Sequence, residues 1–120
     1  MLEVKRKALP KSVRIAVYQK CNGHCAYCGC DLQYKDMQVD HVIPLNGWNE
    51  QGTDTVDNML PACRSCNHYK SRSTLEGFRK MVEDMPDTLM RDNVTYKNAV
   101  RFGLVIPNKK PVVFYFEKIN

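Results

Sequence analysis

The chain reads as a small α+β domain stapled by a metal ion. Two Cys-x-x-Cys pairs, Cys25/Cys28 and Cys63/Cys66, enclose its central segment. Met37 to Ile43 carries a β signal, and Lys11 to Lys20 and Leu75 to Val82 place apolar residues at helical spacing. With 120 residues, 43% of them hydrophobic, the sequence supports one domain over residues 1–120, with a modest core that profits from a metal staple.

Lys5 to Lys7 form a basic arm, and Lys11 to Lys20 is predicted helical, offering Val13, Ile15, Ala16 and Val17 to a core. Asn22-Gly23 suits its left-handed stop. In the knuckle Cys25-Ala26-Tyr27-Cys28-Gly29, the glycine lets the backbone turn so that amides approach sulfur. Asp31 to Lys35 is read as the strand opposing Met37 to Ile43, with Pro44 ending the ladder. Asn46 to Asp57, with Gly47, Trp48, Gly52 and three acidic residues, reads as a surface loop. A helix is expected from near Cys66, and another from the capping box Ser73-Thr74-Leu75-Glu76, with Phe78, Met81 and Val82 continuing its apolar face. Val94 to Phe102 predicts a further helix stopped by Gly103, and Val112 to Phe116 a final strand. There is no internal repeat or low-complexity segment.

The paired cysteine spacing suits four thiolates around one tetrahedral zinc ion. No apolar run approaches the roughly 20 residues that cross a bilayer, and the start Met1-Leu2-Glu3-Val4-Lys5-Arg6-Lys7 lacks a secretory signal's apolar segment, so no membrane partner and a cytoplasmic address are expected. A reducing compartment favours metal ligation over three disulfides. Cys21 and Cys30 are left over as buried thiols or spare ligands, and Cys21-x-x-x-Cys25 keeps a second zinc set open. The formal charge is +5; four thiolates contribute −4 and zinc +2, leaving a mild +3 that permits but does not establish attraction to a polyanion.

Asp40-His41 joins a group that accepts a proton near neutral pH to a carboxylate that can hold a divalent cation. By itself such a pair is more often a hydrogen-bonded surface feature. Asn58 and Asn67, each a turn or cap residue when taken alone, carry amide oxygens that also suit hard cations, and both sit at fixed offsets from the cysteine clamp.

The combination Cys-Ala-Tyr-Cys-Gly, Val-Asp-His-Val-Ile-Pro-Leu and Asp-Asn-Met-Leu-Pro-Ala-Cys-Arg-Ser-Cys-Asn-x-x-Lys, from Cys25 to about Lys70, resembles the HNH endonucleases of the ββα-metal, or His-Me finger, type. Its three signature positions fall on His41, Asn58 and Asn67, so the third is Asn where the family name has His, a variant shared with the HNH domains of RNA-guided nucleases. The resemblance implies a motif core at about residues 21–72, with flanking helices and a C-terminal strand as support. It implies that Asp40 and Asn67 bind one catalytic divalent ion, Mg²⁺ or Mn²⁺ or another, that His41 is the general base, and that Asn58 constrains the loop holding His41. Zinc at Cys25, Cys28, Cys63 and Cys66 would be structural, DNA the substrate, and a homodimer or phage or restriction proteins the further partners it leaves room for.

Neighbouring strand residues project to opposite faces, so Asp40 and His41 converge on one phosphate only if the backbone bends or another element folds over it. His68 competes with Asn67, but on a helix it points about 100° away. His24 reads as a surface group or one behind the ligands. Arg64, Lys70 and Arg72 are candidate contacts to DNA phosphates, although such charges are often only a solvated helix face. Trp48 and Tyr69 serve base stacking or core anchoring equally well. Two rival readings remain: a zinc-knuckle module that binds nucleic acid without cutting it, which has no need of Asp40-His41, and a redox dithiol, which leaves the second cysteine pair unexplained.

Overall fold

A computed structural model describes residues 8–47 and 50–119; the basic arm Lys5 to Lys7 and Trp48 lie outside these. The elements run α1 (Lys11–Gln19), a 3-10 turn (Tyr34–Asp36), β1 (Gln38–His41), a second 3-10 turn (Val56–Asn58), β2 (Met59–Ala62), α2 (Arg64–Lys70), α3 (Leu75–Glu83), α4 (Met85–Asp92), α5 (Val94–Arg101) and α6 (Tyr115–Lys118). The fold is α+β, and its two-stranded sheet pairs β1 with β2 antiparallel in the register Gln38 to Ala62, Val39 to Pro61, Asp40 to Leu60 and His41 to Met59.

The partner of β1 differs from the expected one. Asp31 to Lys35 forms no strand: Asp31 makes one isolated bridge to His24, and the chain then enters the first 3-10 turn. β2 occupies the place instead, and tolerates Pro61 because the Pro61 backbone faces away from β1, where its carbonyl accepts the Ala26 amide (2.8 Å) and no ladder N–H is lost. Val112 to Phe116 is no strand either. Phe114 caps α6, and this segment docks on the first knuckle through Tyr115 N to Tyr27 O (3.1 Å) and Phe116 N to Ala26 O (2.8 Å). The buried Phe114 ring meets Tyr27 edge-on at 5.2 Å.

Contacts divide the chain into two units. The first comprises residues up to Leu75 together with Val113 onward; the second is Glu76 to Val112. In the first, Val17, Leu32, Met37, Val39 and Met59 form the core, with Leu9, Val13, Tyr18, Tyr34 and Cys63 against it. Each large side chain buried here contributes about 1.5–3 kcal/mol. Of the four apolar residues expected to face the core from α1, Val17 is buried and Val13 half-buried, whereas Ile15 and Ala16 lie in solvent. The helix stops as its sequence predicts, with Asn22 (φ 54°) and Gly23 (φ 82°) in the left-handed region. The Lys20 ammonium then ties α1 to the carbonyls of Val56 and Met59 (2.7 Å for the second).

The second unit contains most of α3, then α4 and α5. α4 lay unread in the sequence; Pro86 sits in its first turn, where proline's missing N–H is harmless. Asn93 caps α5 by accepting the Tyr96 amide (2.8 Å), and Gly103 (φ 73°) follows the helix as expected. Glu83 accepts the Val112 amide (2.9 Å) and Arg79 donates to the Val112 carbonyl (2.8 Å), fixing the end of the unit to α3. No helix among the described residues is long and apolar enough to cross a membrane.

Candidate functional site

Three of the four expected thiols, Cys25, Cys28 and Cys63, come together, but Cys30 takes the fourth place in the mutual cluster and Cys66 stands outside it. The Sγ atoms of Cys25, Cys28, Cys30 and Cys63 all lie within 4.8 Å of one another, and Cys28 and Cys63 stand 3.9 Å apart. A zinc ion with four Zn–S bonds of about 2.3 Å places its sulfurs roughly 3.8 Å apart, so the cluster fits a tetrahedral thiolate site. Cys66 adjoins it from the first turn of α2: its amide donates to Cys63 Sγ (3.4 Å), making Cys63 the sulfur cap of that helix, and its thiol bonds to Cys25. Cys21 is buried and stands outside the cluster.

The Cys25 sulfur also receives the amides of Cys63 (3.3 Å), Cys28 and Tyr27. The Cys66 thiol first, and these amides after it, hold Cys25 down to about 4 against the opposing effect of burial. A knuckle that directs N–H groups at sulfur favours the thiolate a metal takes. Gly29 permits the turn at φ 79°, where a Cβ would also meet the Tyr115 ring at 3.0 Å.

β1 stays regular through Asp40 and His41, and strand alternation sends their side chains to different neighbours. Asp40 is buried on the α2 side, where its Oδ2 accepts from the Tyr27 hydroxyl and lies 3.3 Å from Lys70 Nζ. Burial raises the Asp40 carboxyl above the usual range, outweighing Lys70 and Tyr27, which act the other way. Lys70 is 0% exposed and also donates to the His41 carbonyl (3.1 Å). Its expected place at a DNA phosphate is therefore corrected: this lysine is an internal tie between α2 and β1. Arg64 and Arg72, by contrast, are exposed.

His41 turns the other way, into a cleft of about 230 Å³ whose lining includes Arg14, Gln38 and Asp54. Its Nε2 lies 2.7 Å from Asp54 Oδ1. Against an ionised carboxylate, which only accepts, the ring donates from Nε2, and an imidazole with its single proton there keeps Nδ1 as an acceptor. No local signal singles out Asp54, which sits in the polar run Thr53-Asp54-Thr55 like any turn residue. Arg14 was missed for a similar reason: on α1 it reads as a solvated charge, whereas its guanidinium lies over the Tyr34 ring (5.3 Å) and donates to the Met37 carbonyl (3.3 Å).

Asn58 closes the loop after His41 with both ends of its amide. Its Oδ1 accepts from Ile43 N (2.9 Å), while Nδ2 donates to Ile43 O (2.9 Å) and Thr53 O (2.8 Å). Gly52 lies in the same neck, its amide on Pro44 O (2.8 Å), and a Cβ there would stand 1.8 Å from Ile43 O. One side chain thus sets the register of the residues following His41 and preceding Asp54. Asn67 lies half-buried on α2, three residues before Lys70 and so on a neighbouring strip of the helix, whereas His68 is exposed. His24 pairs with Asp31 (3.3 Å) and packs on Tyr115 (5.1 Å), apart from the ligands.

A two-stranded ribbon, a helix tied back to it by a buried ion pair and, at that helix's start, a thiol cluster that could hold a metal ion define a small α+β module. Residues 25–73 match the model of the HNH family, described as HNH endonuclease. The chain is 33% identical over 55 residues to the CRISPR-associated endonuclease Cas9 of Corynebacterium diphtheriae, covering 46% of this chain and 5% of that protein. It is 33% identical over 49 residues to Cas9 of Actinomyces naeslundii, covering 41% and 4%. The fold resembles the crystal structure of the Type II-C Cas9 enzyme from Actinomyces naeslundii, with a TM-score of 0.52 and 19% identity over 89% of this chain and 14% of that one. The chain thus spans a small fraction of each of these relatives.

Proposed function

We propose that this protein is a divalent-cation-dependent endonuclease that hydrolyses DNA phosphodiester bonds, with His41 as general base. The observation that carries the reading is the support around His41: a buried imidazole whose Nε2 is held by Asp54 and whose following loop is clamped by Asn58, within the segment matching the HNH family. In this role Nδ1 of His41 takes the proton of the attacking water, and Asp54 keeps the ring in the tautomer that allows it. Asn58 acts through position alone.

The donor chemistry at Asp40 and Asn67 suits a hard cation, since a carboxylate and an amide oxygen are both such ligands. A divalent ion bound there would neutralise charge on the phosphate and the departing 3′ oxygen. Lys70 already stands at the Asp40 carboxylate, so cation binding competes with that ion pair. Arg64 and Arg72, on the exposed side of α2 and just beyond it, and Arg14 in the cleft would contact phosphates and fix the strand's path.

The Asp40 to Lys70 pairing also favours a second reading, a zinc-knuckle module that binds nucleic acid without cutting it. Supercoiled plasmid, incubated with Mg²⁺ or Mn²⁺ and with a chelator, separates the two. Cation-dependent nicking, lost in His41→Ala with zinc content and melting curve unchanged, is expected of the nuclease. Nicking retained by His41→Ala would remove the base, and binding without nicking under every metal would leave the second reading.

A further inference from the structure

Five thiols surround a site where a tetrahedral ion takes four. We propose that the zinc centre has two interchangeable ligand sets, with Cys25, Cys28 and Cys63 common to both and either Cys66 or Cys30 completing the tetrahedron. The proposal concerns the staple and does not rest on the nuclease reading.

Cys30 is no bystander in the knuckle. Its carbonyl accepts the Cys25 amide (2.9 Å), and its place after the left-handed Gly29 folds the chain back so that its thiol lies on the same side as that of Cys28. The result is the mutual approach within 4.8 Å of Cys25, Cys28, Cys30 and Cys63, a set that closes on an ion through shifts of about 1 Å or less. Cys66 falls outside that mutual set yet touches two of its members, through its thiol to Cys25 and its amide to Cys63. Cys30 and Cys66 therefore reach the same cluster from different elements, the knuckle and α2. When one is ligated the other is left as a thiol, because a fifth thiolate would add a negative charge that the ion has no position to neutralise. Cys30 is exposed, so the exchange needs no opening of the core.

The test is the metal content and cobalt spectrum of the full chain in four forms: wild type, Cys30→Ser, Cys66→Ser and the double variant. Each of the first three is expected to hold one metal per chain, with a tetrahedral cobalt–thiolate spectrum and an affinity within about 10-fold of wild type, while the double variant loses more than about 100-fold. Loss of metal in Cys66→Ser alone, or wild-type affinity in the double variant, would overturn the proposal. Should Cys66→Ser not be recoverable, alkylation of zinc-loaded wild type decides. Partial labelling of both Cys30 and Cys66, with Cys25, Cys28 and Cys63 protected, supports the two sets; labelling of Cys30 with Cys66 fully protected overturns them.

Discussion

The two units of this chain hold themselves in opposite ways. The first buries its polar groups: an aspartate and a lysine pair inside it, thiols gather at one corner, and a histidine is bonded below its surface. The second keeps its charges outside, in pairs such as Lys109 with Asp87 (2.6 Å) and Arg91 with Asp92 (2.9 Å), and leaves Phe102, Leu104 and Ile106 at least 80% exposed. Buried pairs fix one geometry because each partner is costly to leave alone, whereas exposed pairs are screened and replaceable. The candidate catalytic groups sit in the unit built for one geometry.

Stripping a metal ion held by the thiol cluster should expose this contrast most strongly. Structural zinc contributes about 10–16 kcal/mol in small metal-folded domains, so a chelator or Cys63→Ser is expected to strip hydrogen-exchange protection from β1, β2 and α2. Amides of α4 and α5 should change far less, and equal loss in both units would erase the distinction. Lys70→Met leaves the Asp40 carboxylate buried beside Tyr27 alone and should destabilise the first unit by about 3–5 kcal/mol, read from denaturant midpoints. A change below about 1 kcal/mol would mean that the pair is not buried in solution.

Asn58→Ala removes three bonds at the neck. Stability should fall by about 1–3 kcal/mol, while cleavage drops about 100-fold because His41 loses its register. Cleavage that falls only in proportion to the unfolded fraction would make Asn58 merely structural. Asp54→Asn should alter stability by less than about 1 kcal/mol, since Asp54 is 41% exposed, yet lower kcat with KM unchanged; nitrogen NMR of the ring should show His41 losing its preference for the proton on Nε2. An unchanged tautomer would release Asp54 from its positioning role. Arg91→Ala, on the surface of the second unit, should leave the melting temperature where it was.

Local signals in the sequence gave the ends of α1, the start of α3, the stop after α5 and both cysteine knuckles, because caps and turns are decided by a few neighbouring residues. Partners distant in sequence were not legible. β1 was read correctly but matched to Asp31 to Lys35, since Met59-Leu60-Pro61-Ala62 has little β character and becomes a strand only because the second cysteine pair brings it alongside. Val112 to Phe116 carries the pattern of a strand, but Tyr115 and Phe116 bond to the knuckle and Val112 bonds to Arg79 and Glu83 of α3. The motif singled out Asp40, His41, Asn58 and Asn67, but it could not tell that Asp40 and His41 face different neighbours, that Lys70 is internal, or that Asp54 waits for His41. Each of those facts depends on a contact spanning 13 residues or more.

The neck formed by Asn58, Ile43, Thr53 and Gly52 makes the loop beyond it a cassette. Its two ends are pinned to each other, so what is inserted between residues 46 and 51 transmits little strain to His41, and doubling such a loop costs only about 0.6 kcal/mol. New segments grafted there could change what the protein touches while the imidazole stays where it is. Gly52→Ala, which forces a methyl group against the Ile43 carbonyl, should undo this independence, as Asn58→Ala should.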